Sequence, residues 1–242
     1  MANGIIFYQG KSQINGKKIV GIATLKSNNP KTGGLIQTHI LVDNQQKPTD
    51  NVCGNKDNAI CGNCPLKRKA CYVNIGQGEN QVYRTYENNK YLPLDADTSS
   101  RFNNRFLRLG TYGDPTAIPY SFWQQLVSLC KKYVGYTHQW RRYHFQKFRN
   151  LCMASVATEK EKREANALGW RTFRVKLACQ EVLSDEIICP ASEERGKILT
   201  CEQCGLCNGN SPERKGTKKN VVINVHGLKW KQNNYRKIIN WQ

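Results

Sequence analysis

This sequence contains no long apolar run. Nothing in it approaches the roughly 20 consecutive residues needed to cross a bilayer, so no membrane-spanning helix is expected. It opens Met1-Ala-Asn-Gly-Ile-Ile-Phe-Tyr-Gln-Gly, without a basic region leading into an apolar stretch, and no signal peptide is expected. Internal repeats and low-complexity tracts are also missing, which leaves a globular chain. Acidic residues are few: 18 Asp plus Glu against 37 Lys plus Arg, a formal charge of +19. An excess of that size points to a polyanionic partner, meaning DNA, RNA or a nucleotide. The 242 residues suffice to bury a core without cross-links. The odd count of 11 cysteines and their spacing do not fit a small secreted disulfide scaffold. A reducing cytoplasm is the expected compartment.

Seven of the cysteines fall into two clusters. The first is Cys61-Gly-Asn-Cys64-Pro-Leu-Lys-Arg-Lys-Ala-Cys71, and the second is Cys201-Glu-Gln-Cys204-Gly-Leu-Cys207, with Cys189-Pro190 upstream as a further ligand. A CxxC step sets two thiolates on one turn, where both reach one soft metal; sulfur selects zinc, copper(I) or an iron–sulfur cluster. Four cysteines (Cys189, Cys201, Cys204, Cys207) make a closed site, of zinc or an auxiliary cluster. Cys61, Cys64 and Cys71 leave one position open, or take a fourth ligand from Cys53 or a histidine. Cys130, Cys152 and Cys179 lie in apolar stretches and read as core.

Strand-like runs at 4–9, 18–25 and 35–42, the first two separated by Asn15-Gly16, predict an N-terminal antiparallel sheet. Short strands and helices then alternate: 106–110, a helix from Pro119 to Tyr133 with Phe122, Leu126, Leu129 and Cys130 on one face, 133–137, 151–156, a helix over 159–168 capped by Thr158, 171–175 and 221–225. That order predicts βαβ units and an α/β fold, closing as a partial, open parallel barrel. The expected organisation is one compact domain, with a β extension over 1–50, a cysteine-rich partial barrel over 51–227 and a basic helix over 228–242. In such folds ligands bind at the carboxyl ends of the strands. Those ends carry Asp114, Tyr136 and His138 as candidate catalytic groups, and Gly110, Tyr112 and Ser155 as cofactor contacts. Equally, Asp114 before Pro115 reads as a helix cap.

The stretch 131–149 carries Lys131, Lys132, Arg141, Arg142, Lys147 and Arg149 without one acid, interleaved with Tyr133, Tyr136, Trp140, Tyr143, Phe145 and Phe148. Cations beside rings suit single-stranded nucleic acid, with Trp140 and Tyr136 as stacking candidates. Lys218, Lys219, Lys229, Lys231, Arg236 and Lys237 extend the basic surface at the C-terminal end.

The set Cys61-xx-Cys64-Pro, Cys71-Tyr-Val, Leu109-Gly-Thr-Tyr-Gly-Asp-Pro115, Gly135-Tyr-Thr-His-Gln-Trp140, Met153-Ala-Ser-Val156, Gly169-Trp-Arg-Thr-Phe-Arg-Val175, Cys189-Pro-Ala-Ser192 and Val221-Val-Ile…His226-Gly227 resembles a family of uncharacterised proteins of bacteriophages and mobile elements. The cluster ending in Cys71-Tyr72 also resembles, distantly, the radical S-adenosylmethionine proteins. That resemblance implies an iron–sulfur cluster on Cys61, Cys64 and Cys71, with S-adenosylmethionine on its open iron. The chain departs from the usual CxxxCxxC spacing and shows no Gly-Gly-Glu segment. Two other readings stand beside it. One is a non-enzymatic, zinc-containing DNA- or RNA-binding replication or regulatory protein. The other is a replication initiator with Tyr136 or Tyr143 as nucleophile, against which stands the absence of a His-apolar-His pair, His138 and His144 being six apart.

Overall fold

The computed structural model describes residues 3–27, 31–196, 199–211 and 219–240. They form two compact units. The first comprises Met1–Asn29, Gly33–Asn63 and Val73–Tyr133; the second comprises Pro30–Thr32, Cys64–Tyr72 and Val134–Gln242. Both are α/β, and parallel pairings predominate among the described strands.

The first unit is built on β1 (Gly4–Lys11), β2 (Lys18–Thr24) and β3 (Ile36–Val42), followed by short helices α1 (Pro48–Cys53) and α2 (Asn58–Cys61), then α3 (Asn80–Glu87), β4 (Leu92–Pro93), α4 (Ala96–Ser99), β5 (Phe106–Tyr112) and α5 (Tyr120–Ser128). β1, β2 and β3 pair antiparallel, as the alternating apolar runs predict. β4 and β5 then join the two edges in parallel. Asn15 and Gly16 sit in a loop closed by the Ser12 N–H donating to the Lys17 carbonyl at 2.8 Å, so the turn is longer than a two-residue hairpin. β3 is buried along its whole length, its polar Gln37, Thr38 and His39 included. α5 is shorter than its sequence period suggests and buries Trp123 and Leu126. Phe122 stays partly exposed, edge-on to Tyr8 at 4.9 Å.

The second unit carries β6 (Lys132–Thr137), β7 (Met153–Val156), α6 (Glu159–Ala167), β8 (Thr172–Lys176), β9 (Glu186–Ile188), α7 (Cys201–Cys204), β10 (Asn220–Asn224) and α8 (Lys229–Asn240). Its strands lie in the order β6-β7-β8-β10-β9, every pairing parallel. The order is linear, so the sheet is open. β8 inverts the usual polarity: Thr172, Arg174 and Lys176 are its buried positions. Each makes local hydrogen bonds, although the Thr172 hydroxyl and Arg174 Nη1 are left without a partner among the described residues. The Asn220 side chain accepts from the Thr172 N–H, Arg174 forms a fully buried pair with Glu186 at 2.6 Å, and Lys176 donates to the Gln180 carbonyl at 2.7 Å. A buried charge is tolerable only when paired and hydrogen-bonded in this way.

Candidate functional site

β9 ends at Ile188 and delivers Cys189, buried, into a turn at Pro190. α7 brings Cys201 and Cys204. It starts at a capping box in which the Thr200 hydroxyl accepts from the Gln203 N–H and the Gln203 side chain accepts from the Thr200 N–H. It stops at Gly205 in the left-handed region (φ 61°), which turns the chain so that Cys207 is also buried. These four cysteines line one pocket, floored by Val134 and Tyr136 of β6 and Val221 of β10. The Cys207 carbonyl accepts from the Gly135 N–H at 2.9 Å, tying the cysteine loop to β6.

Burial pushes the Cys207 thiol up to about 12; a hydrogen bond with Tyr136 opposes the shift, and the charges of Cys189, Cys201 and Cys204 add to it. Cys189 is raised for the same first reason, burial, opposed by the Ala191 N–H and the Lys31 charge and reinforced by Cys201 and Cys204. That mutual influence means the sulfurs stand near one another. The donor set, four thiols with no carboxylate, suits a soft metal. The sulfurs are not, however, drawn into a shell: among the described residues no group of three or more His, Cys, Asp or Glu is spaced to hold a metal ion.

The loop is held from behind by groups that sequence reasoning overlooked. Buried Arg171 donates to the carbonyls of Leu206 (3.1 Å), Gly209 (2.7 Å) and Lys219 (2.8 Å). Gly209 (φ 61°) passes so close to the chain that a Cβ there would lie 2.7 Å from the Cys152 carbonyl and 2.8 Å from its nitrogen. Asn210 donates to the carbonyls of Arg149 and Gly169 at 2.7 Å each. The signal available in the sequence was Arg171 following Trp170 at the start of a strand.

The first cysteine cluster divides between the units. Cys61 ends α2 in the first, while Cys64 and Cys71 lie on the Cys64–Tyr72 segment of the second. In that segment Leu66 and Ala70 pack with Tyr235, Ile238 and Ile239 of α8 and with Val175 and Val225 at the carboxyl ends of β8 and β10. Tyr72 lies 6.2 Å from the His226 ring. His226 was not a sequence candidate; burial, and then Lys31, hold its imidazole below the usual range. Cys53 is exposed, Cys152 is buried, and Cys179, expected in the core, is exposed.

The other candidates have specific employment in the fold. Asp114 is buried and caps a short turn, accepting from the N–H and hydroxyl of Thr116 at 3.0 and 2.8 Å, so the cap reading describes it. Gly110 (φ 64°) forms a bulge in β5, where the register with β3 slips between Gln37 and His39. A Cβ at Gly110 would meet the Gly113 carbonyl at 2.6 Å, so the backbone itself requires glycine there. Tyr112 is buried. Gly110, Tyr112 and Asp114 belong to the first unit, and Tyr136, His138 and Ser155 to the second. Tyr136 packs on Phe173 at 4.5 Å and lines the cysteine pocket. His138 is half-buried, and the Ser155 carbonyl accepts from the Trp140 indole.

Trp140 is 1% exposed. Its ring is core and offers no face to a base, which corrects its expected stacking role. Arg141 covers that ring at 4.0 Å and pairs with Glu161 and Glu164 at 3.2 and 2.8 Å. Lys131, Lys132, Lys147 and Arg149 are exposed, and Arg142 is half-buried over Phe145. Lys132 lies over Phe106. On α8, Lys229, Arg236 and Lys237 point outward and Lys231 lies over Trp230, while Tyr235 is buried with its hydroxyl donating to the Val175 carbonyl. Lys219 is exposed; Lys218 and Trp241 lie outside the described residues.

The first unit also holds a buried polar chain that the sequence did not advertise. The Thr24 hydroxyl lies 3.2 Å from His39 Nε2, and His39 Nδ1 lies 2.8 Å from the Glu79 carboxylate. Among known proteins, no family model, curated sequence or solved structure matches this chain. Among the described residues no helix is long and apolar enough to cross a membrane.

Proposed function

We infer that this chain is a nucleic-acid-binding protein whose second unit is pinned by a soft metal centre, zinc or an iron–sulfur cluster, on Cys189, Cys201, Cys204 and Cys207. The observation that carries the reading is the convergence of these four cysteines on one pocket of a chain with charge +19. Four protein sulfurs leave no open position, so the centre is structural. Metal draws the sulfurs together and offsets the repulsion between thiolates, with Lys31 supplying further positive charge near Cys189. The nucleic acid meets the exposed cations around Arg142–Arg149 and the outer face of α8. Cysteines clustered at CxxC spacing suit a reducing cytoplasm.

Elemental analysis of the anaerobically purified protein, with its visible spectrum, tests the metal. Cys204→Ser is expected to lose that site's metal and keep any bound at the first cluster; unchanged content would remove the site. Binding to oligonucleotides is expected to weaken steeply with salt, with a log–log slope of about −9 if about ten phosphates are neutralised on duplex.

A second reading is favoured by the packing of the Cys64–Tyr72 segment against the carboxyl ends of β8 and β10, where open α/β sheets bind ligands. On it the sheet is part of an open barrel, and Cys64 and Cys71 of this segment help to hold a cluster that would supply redox chemistry to S-adenosylmethionine. Calorimetry of the anaerobically reconstituted protein with that cofactor, beside a Cys64→Ala control, decides it; no heat, with zinc at the first cluster, ends this reading.

A further inference from the structure

We propose that the second unit binds single-stranded nucleic acid by stacking a base on Tyr143, with Arg142, Lys147 and Arg149 on the phosphates. The proposal rests on the nucleic-acid reading above and supplies its substrate class and contact residue. Of the rings in this stretch, Trp140, Phe145 and Phe148 are 1%, 3% and 2% exposed, whereas Tyr143 is 90% exposed. A tyrosine that far out of the core contributes almost no burial to folding, yet keeps both ring faces available.

The backbone beneath it is fixed. Tyr143–Asn150 forms a 3₁₀ stretch anchored by Phe145 and Phe148, which meet edge-on at 6.0 Å. Gln146 locks it from both sides: its amide donates to the Trp140 carbonyl at 2.6 Å and its oxygen accepts from the Trp170 indole at 2.8 Å. The ring is therefore presented by an ordered scaffold, which lowers the entropy cost of capturing a base.

The charges around it are one-signed. Residues 131–150 include no acid. Glu161 and Glu164 both pair with Arg141. Along a 3₁₀ axis at about 2.0 Å per residue, Lys147 and Arg149 lie about 8 and about 12 Å from Tyr143, within reach of a few successive phosphates. A proud ring finds a free base face only where bases are unstacked, which selects single strands over duplex.

The test is fluorescence anisotropy of the full chain with labelled mixed-sequence 12-mers of DNA and of RNA, each as single strand and as duplex. Tyr143→Ala is expected to weaken single-strand binding about 5- to 150-fold for at least one of the two polymers, with duplex binding unchanged. Tyr143→Phe is expected to bind like the parent, because stacking needs the ring and not the hydroxyl. Lys147→Ala and Arg149→Ala are each expected to flatten the salt slope by about one unit. If the parent binds oligonucleotides and those lysine and arginine variants weaken it while Tyr143→Ala does not, the stacking proposal falls and the nucleic-acid reading survives. Equal weakening of duplex and single strand by Tyr143→Ala also overturns it. Absence of any binding at low salt removes both. Circular dichroism matching the parent establishes that each variant is folded.

Discussion

Arg171→Met removes the group that holds the cysteine loop. The guanidinium reaches three carbonyl oxygens, of Leu206, Gly209 and Lys219, the last through two nitrogens at 2.8 and 3.3 Å. Hydrogen bonds from a charged donor contribute about 1.5–3 kcal/mol each, and a buried acceptor left without a partner costs about 1–3 kcal/mol. The three do not add in full, because the loop relaxes and water enters, and methionine regains apolar contact. The expected loss is about 3–5 kcal/mol, a large fraction of the roughly 5–15 kcal/mol that stabilises a domain. For a chain of this length it corresponds to a fall in Tm of about 6–20 °C. Urea unfolding followed by near-ultraviolet circular dichroism measures it, since Trp140 and Trp170 are buried in the same unit. Arg171→Lys, with a point charge in place of a fork, is expected to fall between the two. On the metal reading proposed above, retention of the metal during dialysis against a chelator is expected to fall in parallel, because the loop carries Cys204 and Cys207. Arg171→Met within 1 kcal/mol of the parent and with metal retained would refute the view that this arginine organises the site.

Gly209→Ala forces a Cβ onto the Cys152 backbone at a left-handed φ; destabilisation of more than about 2 kcal/mol is expected in the same assay. Glu186→Gln leaves Arg174 charged and fully buried beside a neutral amide, and a cost of about 3–5 kcal/mol is expected from urea midpoints. Glu79→Ala strips His39 Nδ1 of its acceptor; a loss of about 1–3 kcal/mol is expected, read by hydrogen exchange as faster opening of β2 and β3 with second-unit peptides unchanged.

Local pattern rendered much of the fold legible. The strands and α6 fall within a few residues of their sequence-based bounds because alternation, the Thr158 cap and the Gly169 stop are local properties. β4 and β9 escaped notice because two- and three-residue strands have no period to read. The placement of 73–133 with the N-terminal strands was equally hidden, since β3–β5 pairing joins residues about seventy positions apart. Among site residues, Asp114 reads as a catalytic candidate and equally as a cap, because a Gly-Asp-Pro turn at a strand end has the same letters whether it caps or binds.

The sequence alone determined the chemistry on offer: soft sulfur donors at CxxC spacing, a strong positive charge and rings interleaved with cations. These follow from residue type and short spacing, which no packing can alter. Only the tertiary structure decided which of them meet and which face water. It gathered Cys189 with Cys201, Cys204 and Cys207 and engaged Arg141 with Glu161 and Glu164. It also buried Trp140 while leaving Tyr143 out. Burial and pairing depend on neighbours far along the chain, so two aromatic residues three positions apart acquired opposite fates that no local pattern distinguishes.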